Sequence, residues 1–176
     1  MKTSSKIRLG VVFIYLILGA YIASAMISVA GVRVYMKTNL AAGDVGLEAS
    51  GIGGNIIIHN ANITIYFNFS NPGIYAISAD IFHAKIFIHS SGNNTALPNN
   101  SLIGQINTSF YFPPRKTTNG SLTVEIYSEF FEPLALYVAD FRVELTIIHG
   151  GLAGIFFDLN TSVIYHWNVT QFLLGV

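Results

Sequence analysis

The sequence predicts an all-β domain, an antiparallel β-sandwich of about seven strands with one short helix, behind a single transmembrane helix. Three observations predict it. Apolar and polar residues alternate repeatedly from Asn55 onward, as in strands with one buried face. Pro and Gly interrupt the alternating runs, and these residues punctuate strands rather than build them. Ahead of the runs stand 24 uncharged residues, Leu9 to Val32. As a helix they span ~36 Å, against a hydrocarbon core of ~30 Å.

Composition narrows the function classes. Charged residues make up 10% of the chain, against roughly 25% in an ordinary soluble domain. The anchor accounts for part of the deficit. The rest reflects a domain rich in Ile, Phe, Tyr, Val and Asn, which is strand composition. Nine basic residues balance nine acidic ones, so the basic footprint of a nucleic-acid binder is missing. An acidic, solvating, disordered composition is missing too. With no cysteine, a disulfide framework, an iron–sulfur cluster, a thiol nucleophile and a thiolate zinc site are all excluded. A cysteine-free exterior domain points to a prokaryote, and first to an archaeon.

The first element is the anchor. Lys2, Lys6 and Arg8 flank it on one side, Arg33 and Lys37 on the other. Three cations and the amino terminus outweigh two, which places residues 1–8 in the cytoplasm and the rest outside. Leu9 to Val32 is then the contact with the membrane. The rival reading is a cleaved signal peptide, with Ala23-Ser24-Ala25 as the small-x-small site and secretion after cleavage following Ala25. The apolar run continues past that site through Met26, Ile27, Val29 and Val32. It is longer than a signal core of ~7–15 residues. A pilin-type leader cut after Gly10 is a third reading, resting on Arg8-Leu9-Gly10 alone.

Residues 33–54, with five glycines, are expected as a juxtamembrane stalk that contains at most a short strand. The sandwich domain is expected over 55–170. Its first clear strand is Asn62 to Ser70, with Ile63, Ile65, Phe67 and Phe69 on one face. Asn71-Pro72-Gly73 ends it, since Pro lacks the amide donor and Gly tolerates positive φ. Ile74 to His89 follows, broken near Ala79-Asp80, then a polar loop from Asn93 to Asn100. Leu102 to Phe112 is stopped by Pro113-Pro114. Leu122 to Tyr127 and Phe141 to Ile147 alternate again. Between them, Glu132 to Asp140 is expected as a short helix, because Pro133 fits a first helical turn. His149-Gly150-Gly151 reads as a turn before the last strand, Ile155 to Trp167. Residues 171–176 form an apolar tail with Phe172, Leu173 and Leu174.

The clearest chemical signal is Asn-x-Ser/Thr. It occurs eight times, at Asn62, Asn68, Asn93, Asn99, Asn107, Asn119, Asn160 and Asn168. Asn62 and Asn68 share the outward parity of one strand. Asn160 and Asn168 lie opposite Leu159 and Trp167, and Asn93, Asn99 and Asn119 fall in turns. Such positions suit N-linked glycans, which need solvent. The plainer reading is that Asn fills polar faces and turns. No metal site is expected: His83 and His89 share parity, but no carboxylate stands at ligand spacing, nor do His59, His149 or His166 complete a motif. No cofactor motif is found and no catalytic residue stands out. Glu125, Glu129 and Glu132 sit at a strand end and a helix start, where Glu132 suits the helix dipole. Tyr66, Tyr75, Tyr111, Tyr127 and Trp167 could stack on sugars, although core packing is the commoner fate of such rings.

Order and spacing add a resemblance. The strand Ile-Tyr-Phe-Asn-Phe-Ser ending in Asn71-Pro72, the run Tyr-Phe-Pro-Pro-Arg-Lys-Thr-Thr at 111–118 leading into Leu122 to Tyr127, and the late pair at 141–165 resemble the group-two late embryogenesis abundant family. That family is also called the water-stress and hypersensitive-response (WHy) domain, and many of its members carry one N-terminal membrane helix. The resemblance implies a fibronectin-type-III-like sandwich without enzyme activity. The expectation is a non-enzymatic, membrane-anchored, N-glycosylated surface module that contacts protein partners or its own copies. The alternative is a subunit of an extracellular filament or of a membrane complex, joined by strand addition or through the helix.

Overall fold

The computed structural model describes residues 3–52, 55–92, 94–152 and 155–169. It is mostly strand, with one long helix, α1 (Thr3–Ala30), and one short one, α2 (Phe131–Leu136). The strands are β1 (Arg33–Met36), β2 (Val45–Ile52), β3 (Asn55–Asn71), β4 (Ile77–Ser90), β5 (Leu102–Phe112), β6 (Lys116–Glu125), β7 (Ala139–Leu152) and β8 (Ile155–Trp167).

Helix α1 is apolar on every side. From Ile7 to Leu18 its large side chains are exposed. Among the described residues it is the one helix long and apolar enough to cross a membrane, over Ile7–Ala30. It ends at Gly31, where Arg33 donates to the carbonyls of Ala30 and Val32 at 2.9 and 2.8 Å. A cation there satisfies terminal acceptors and suits the negative end of the helix dipole.

All strand pairs are antiparallel and form two sheets. In the first, β3 is central. β1 and β2 lie end to end along one of its edges, pairing with 67–70 and 55–63, and β6 lies along the other, pairing with 62–71. The second sheet runs β5-β4-β7-β8.

The sheets lie face to face because their alternating residues leave one apolar surface each. Ile63, Ile65, Phe67 and Phe69 of β3 are buried against Phe82, Ala84, Ile86 and Ile88 of β4 and the alternating residues Phe141 to Ile147 of β7. Rings stitch the layers: Phe67 stacks on Phe82 with centroids 4.9 Å apart, and Phe69 on Phe112 at 3.7 Å. The layers meet along one side, where Gly104 of β5 bridges Ile126. A Cβ at Gly104 would sit 2.5 Å from the carbonyl oxygen of Glu125, so the crossing requires glycine.

Several expectations change. Within 33–52, expected as a stalk, Arg33–Met36 and Val45–Ile52 are strands joined by a connection with a 3-10 turn at Ala42–Asp44, and β1 and β2 complete the edge of β3 that would otherwise stay unpaired. β6 starts at Lys116 rather than Leu122, which moves Asn119 from a turn into a strand. His149-Gly150-Gly151 is strand, since β7 continues to Leu152. Residues 153–154, the apolar tail at 171–176 and Asn93 lie outside the described residues. The short helix covers Phe131–Leu136, following a 3-10 turn at Ser128–Phe130. Pro133 does lie in its first turn. β5 and β8 have their expected limits, and β4 is irregular between Ala79 and Phe82.

Candidate functional site

The two ends of the strand domain differ. The end away from α1 carries an apolar groove of about 660 Å³, lined by Ile56, Ile57 and Ile58 of β3, Ser128, and Phe131, Glu132 and Leu136 around α2. Helix α2 is held there by its inner face. Leu134 and Ala135 are buried, and Trp167 Nε1 donates to the Leu134 carbonyl at 3.1 Å while its ring stacks on Phe141. Leu136, Tyr137, Val138 and Ile57 remain exposed beside the groove. The lining holds one charge, Glu132. Such a surface can take an apolar side chain or a short apolar segment.

The opposite end is where α1 meets the domain. Asn71 organises it. Its side chain is fully buried. Nδ2 donates to the carbonyls of Tyr75 (2.8 Å), Pro113 (3.2 Å) and Phe112 (3.3 Å), while Oδ1 accepts from Gly73 N at 3.1 Å. Two hydrogens thus serve three carbonyls. The loop shaped in this way receives the end of α1: Tyr75 Oη lies 3.1 Å from Ser24 Oγ, and the Tyr75 ring packs edge-on against Tyr21 at 5.8 Å. Gly73 lies so close to Ser28 that a Cβ would meet it at 2.6 Å. Ala25 and Ser28 are buried in this contact.

One buried polar cluster lies between β1 and β2. The Asp44 carboxylate pairs with Lys37 Nζ and accepts from Ala41 N at 2.8 Å. Nearby, Tyr165 Oη of β8 donates to the Lys37 carbonyl at 2.6 Å. Burial first, and the negative charge of Asp44 second, push the Tyr165 hydroxyl up to about 12.

The asparagines of the sequons are dispersed. Asn68, Asn99, Asn107, Asn119 and Asn160 are exposed, and Asn62 and Asn168 are half-buried. The Asn62 amide fills the space over Gly46, where a Cβ would meet it at 2.5 Å. Asn68 and Asn119 face each other across β3 and β6. His59, His83, His89 and His166 do not converge. His59 is bonded to Ser50 (2.7 Å), His83 lies 3.4 Å from Gln105 and His166 2.9 Å from Asp140, while His89 is exposed. Among the described residues no three His, Asp or Glu side chains gather as a metal site would need. Glu125, Glu129 and Glu132 are all exposed. Of the aromatics, Trp167 is core, Tyr75 holds α1, Tyr127 is half-buried, and Tyr66 and Tyr111 are exposed on different sheets.

Neither the groove nor the loop clamp was visible as a unit in the sequence. The groove joins residues about seventy positions apart. The Asn-Pro-Gly signal was legible only as a strand end.

No protein-family model matches the chain, and no curated protein matches it. Solved structures resemble it weakly. A crystal structure of a protein from Archaeoglobus fulgidus has a TM-score of 0.46 at 10% identity, with 70% of this chain and 94% of that one covered. A β-glucosidase from Kluyveromyces marxianus gives 0.32 at 13% identity over 78% of this chain. The Streptomyces venezuelae β-glucosidase DesR, in complex with D-glucose, gives 0.30 at 12% over 76%. The chain spans 15% of the length of either glucosidase.

Proposed function

We propose that this chain is a non-enzymatic, membrane-anchored surface module, a β-sandwich held outside the cell by α1 and carrying N-linked glycans. The observation that carries the reading is α1 itself: an apolar helix, uncharged from Leu9 onward, whose large side chains from Ile7 to Leu18 stand exposed, clear of the domain. Such a surface is costly in water and favourable in lipid. The cation imbalance around it favours a cytoplasmic N-terminus. Five exposed sequon asparagines give glycans room. A cysteine-free exterior domain favours an archaeal host.

A fibronectin-type-III-like class is supported by the strand arrangement, with β1/β2, β3 and β6 in one layer and β5, β4, β7 and β8 in the other. Membership of the WHy group is supported by the role of Asn71, which gives the Asn-Pro step a structural reason. Fractionation with protease shaving of intact cells tests the function. We expect the domain in the membrane pellet and removable from outside. A soluble cytoplasmic product of unshifted mass would end the reading.

The second reading is a subunit of a filament or membrane complex. The groove between β3 and α2, ringed by Ile57, Leu136, Tyr137 and Val138, favours it. Its test is crosslinking on cells, with loss of the crosslinked species in Leu136→Glu expected.

A further inference from the structure

We propose that the strand domain is seated directly on the lipid surface, with the 72–75 loop sunk to the boundary between headgroups and acyl chains. The inference rests on α1 being the membrane span and goes beyond it, because an anchored domain could equally stand off the bilayer.

Depth follows from the helix. Ile7–Ala30 holds 24 residues, ~36 Å at 1.5 Å per residue, and the hydrocarbon core takes up ~20 of them. With Arg8 at the inner boundary, the core ends near Ser28. Tyr21 and Ser24 then lie roughly 10 and 6 Å inside that outer edge. Both touch Tyr75. Sliding the span to start at Thr3, with Arg8 reaching back to the headgroups, ends the core near Ile22, still level with Tyr21. In either placement the loop that holds the helix reaches the acyl boundary.

The loop is built for that depth. Asn71 satisfies the Tyr75 carbonyl of the loop and the Phe112 and Pro113 carbonyls beside it, as a backbone away from water requires. Ser24 Oγ donates to the Tyr21 carbonyl and Ser28 Oγ to that of Ser24. Ile74 points outward and is 51% exposed, and Tyr111 on the neighbouring β5 is 63% exposed. An aliphatic tip with tyrosines beside it suits the membrane interface.

Charge fits as well. The same end carries Arg33 beside the helix terminus, Arg115, whose backbone N donates to the Gly73 carbonyl at 3.0 Å, and Lys116, the strand partner of Asn71. All three are exposed. The partner is therefore a lipid surface bearing phosphate headgroups, which such cations attract.

The absence of cysteine makes the test clean. Single variants Ile14→Cys, Ile74→Cys and Leu136→Cys of the full chain are labelled with an environment-sensitive dye. They are reconstituted in phosphatidylcholine–phosphatidylglycerol vesicles with brominated acyl chains. Quenching is expected at 14 and 74 and not at 136. Adding Arg115→Glu and Lys116→Glu is expected to lower quenching at 74 at least twofold and leave 14 unchanged. Quenching at 14 with residue 74 as unquenched as 136 overturns the seating alone. Absence of quenching at 14 overturns the anchor and the seating together. Unchanged quenching at 74 in the charge-reversed protein overturns the recognition of phosphate.

Discussion

The Tyr165 hydroxyl donates a 2.6 Å hydrogen bond to the backbone carbonyl of Lys37, 128 residues away. It ties the outer strand of one sheet to the segment that crosses from β1 to β2 on the other. That segment has few ladder bonds of its own. It is held by this bond, by the pairing of Lys37 with Asp44, and by the bond from Ala41 N to Asp44. Tyr165→Phe keeps the ring and removes the donor, leaving a shielded carbonyl unpaired. A loss of about 1–2 kcal/mol is expected, or a Tm lower by about 3–8 °C. Thermal unfolding of the reconstituted chain measures it, and an unchanged Tm would show the bond to be irrelevant.

The same hydroxyl predicts a response to alkali. Its folded pKa is raised to about 12 from an ordinary 10. The unfolded chain therefore releases this proton first. The associated stability is complete below pH 10 and is lost as pH rises from 10 to 12. Tyr165→Phe should flatten the fall of Tm across that window relative to the parent, although its Tm is lower at neutral pH. Parallel slopes in the two proteins would contradict the assignment.

Asn71 is the position at which a one-atom change is expected to cost most. Asn71→Asp leaves the shape but removes both hydrogens, so three carbonyls lose their donor and a charge is placed in a fully buried site. Removal of one partner from such a network costs about 3–5 kcal/mol. We expect the domain to fail to fold or its Tm to drop by more than 10 °C. Near-parent stability of the Asp variant in a thermal melt would sink the clamp.

How far the sequence spoke depends on whether burial was written locally. β5 and β8 were legible to the residue, because their alternation is flanked by Pro113 and by the glycines near 150. β1 and β2 were not. They are short or glycine-bearing, and their strand character comes from pairing with β3, whose own signal was read only from Asn62. The first five residues of β6, Lys116 to Gly120, carry no apolar alternation, since they form an edge against Asn71 to Phe67. The helix-receiving loop was hidden for a different reason. Asn71 looks like any polar strand end until Phe112 and Pro113, some forty residues on, deliver their carbonyls to it.

Glycan occupancy should follow exposure. In a glycosylating host, Asn99, Asn107 and Asn160 are expected to be modified and Asn62 to be empty, because its amide is packed over Gly46. Asn68 and Asn119 are cross-strand partners, with Cβ atoms about 5 Å apart. Attachment to the folded domain leaves room for one sugar chain at that pair. Glycopeptide mapping with intact mass tests both points, and a filled Asn62, or both of the pair filled on one molecule, would contradict them.

Gly104→Ala isolates the junction of the sheets. The added Cβ would press on the Glu125 carbonyl at 2.5 Å, and a backbone atom in a paired strand cannot swing aside as a side chain can. Overpacking of this kind costs about 1–3 kcal/mol. β5 and β6 should part at the Gly104–Ile126 bridge. Amide exchange at Tyr127, whose N donates to the Ile103 carbonyl at 2.7 Å, should rise at least tenfold while exchange at the centre of β4 stays slow. Uniform acceleration throughout the domain would mean that the glycine supports the whole fold rather than this crossing.

Ala23-Ser24-Ala25 resembles a peptidase site, but Ala25 is fully buried and Ser24 touches Tyr75. A peptidase needs its segment exposed and free to adopt another shape. Here that segment is helical and clasped by the 72–75 loop. The folded chain is therefore expected to keep α1, with intact mass showing residues 1–25 present. Tyr75→Ala removes the clasp without altering the site, so its expected effect is a fraction of chains shortened after Ala25. A parent protein already cut there would show that cleavage precedes docking, and that the helix is not retained as the anchor.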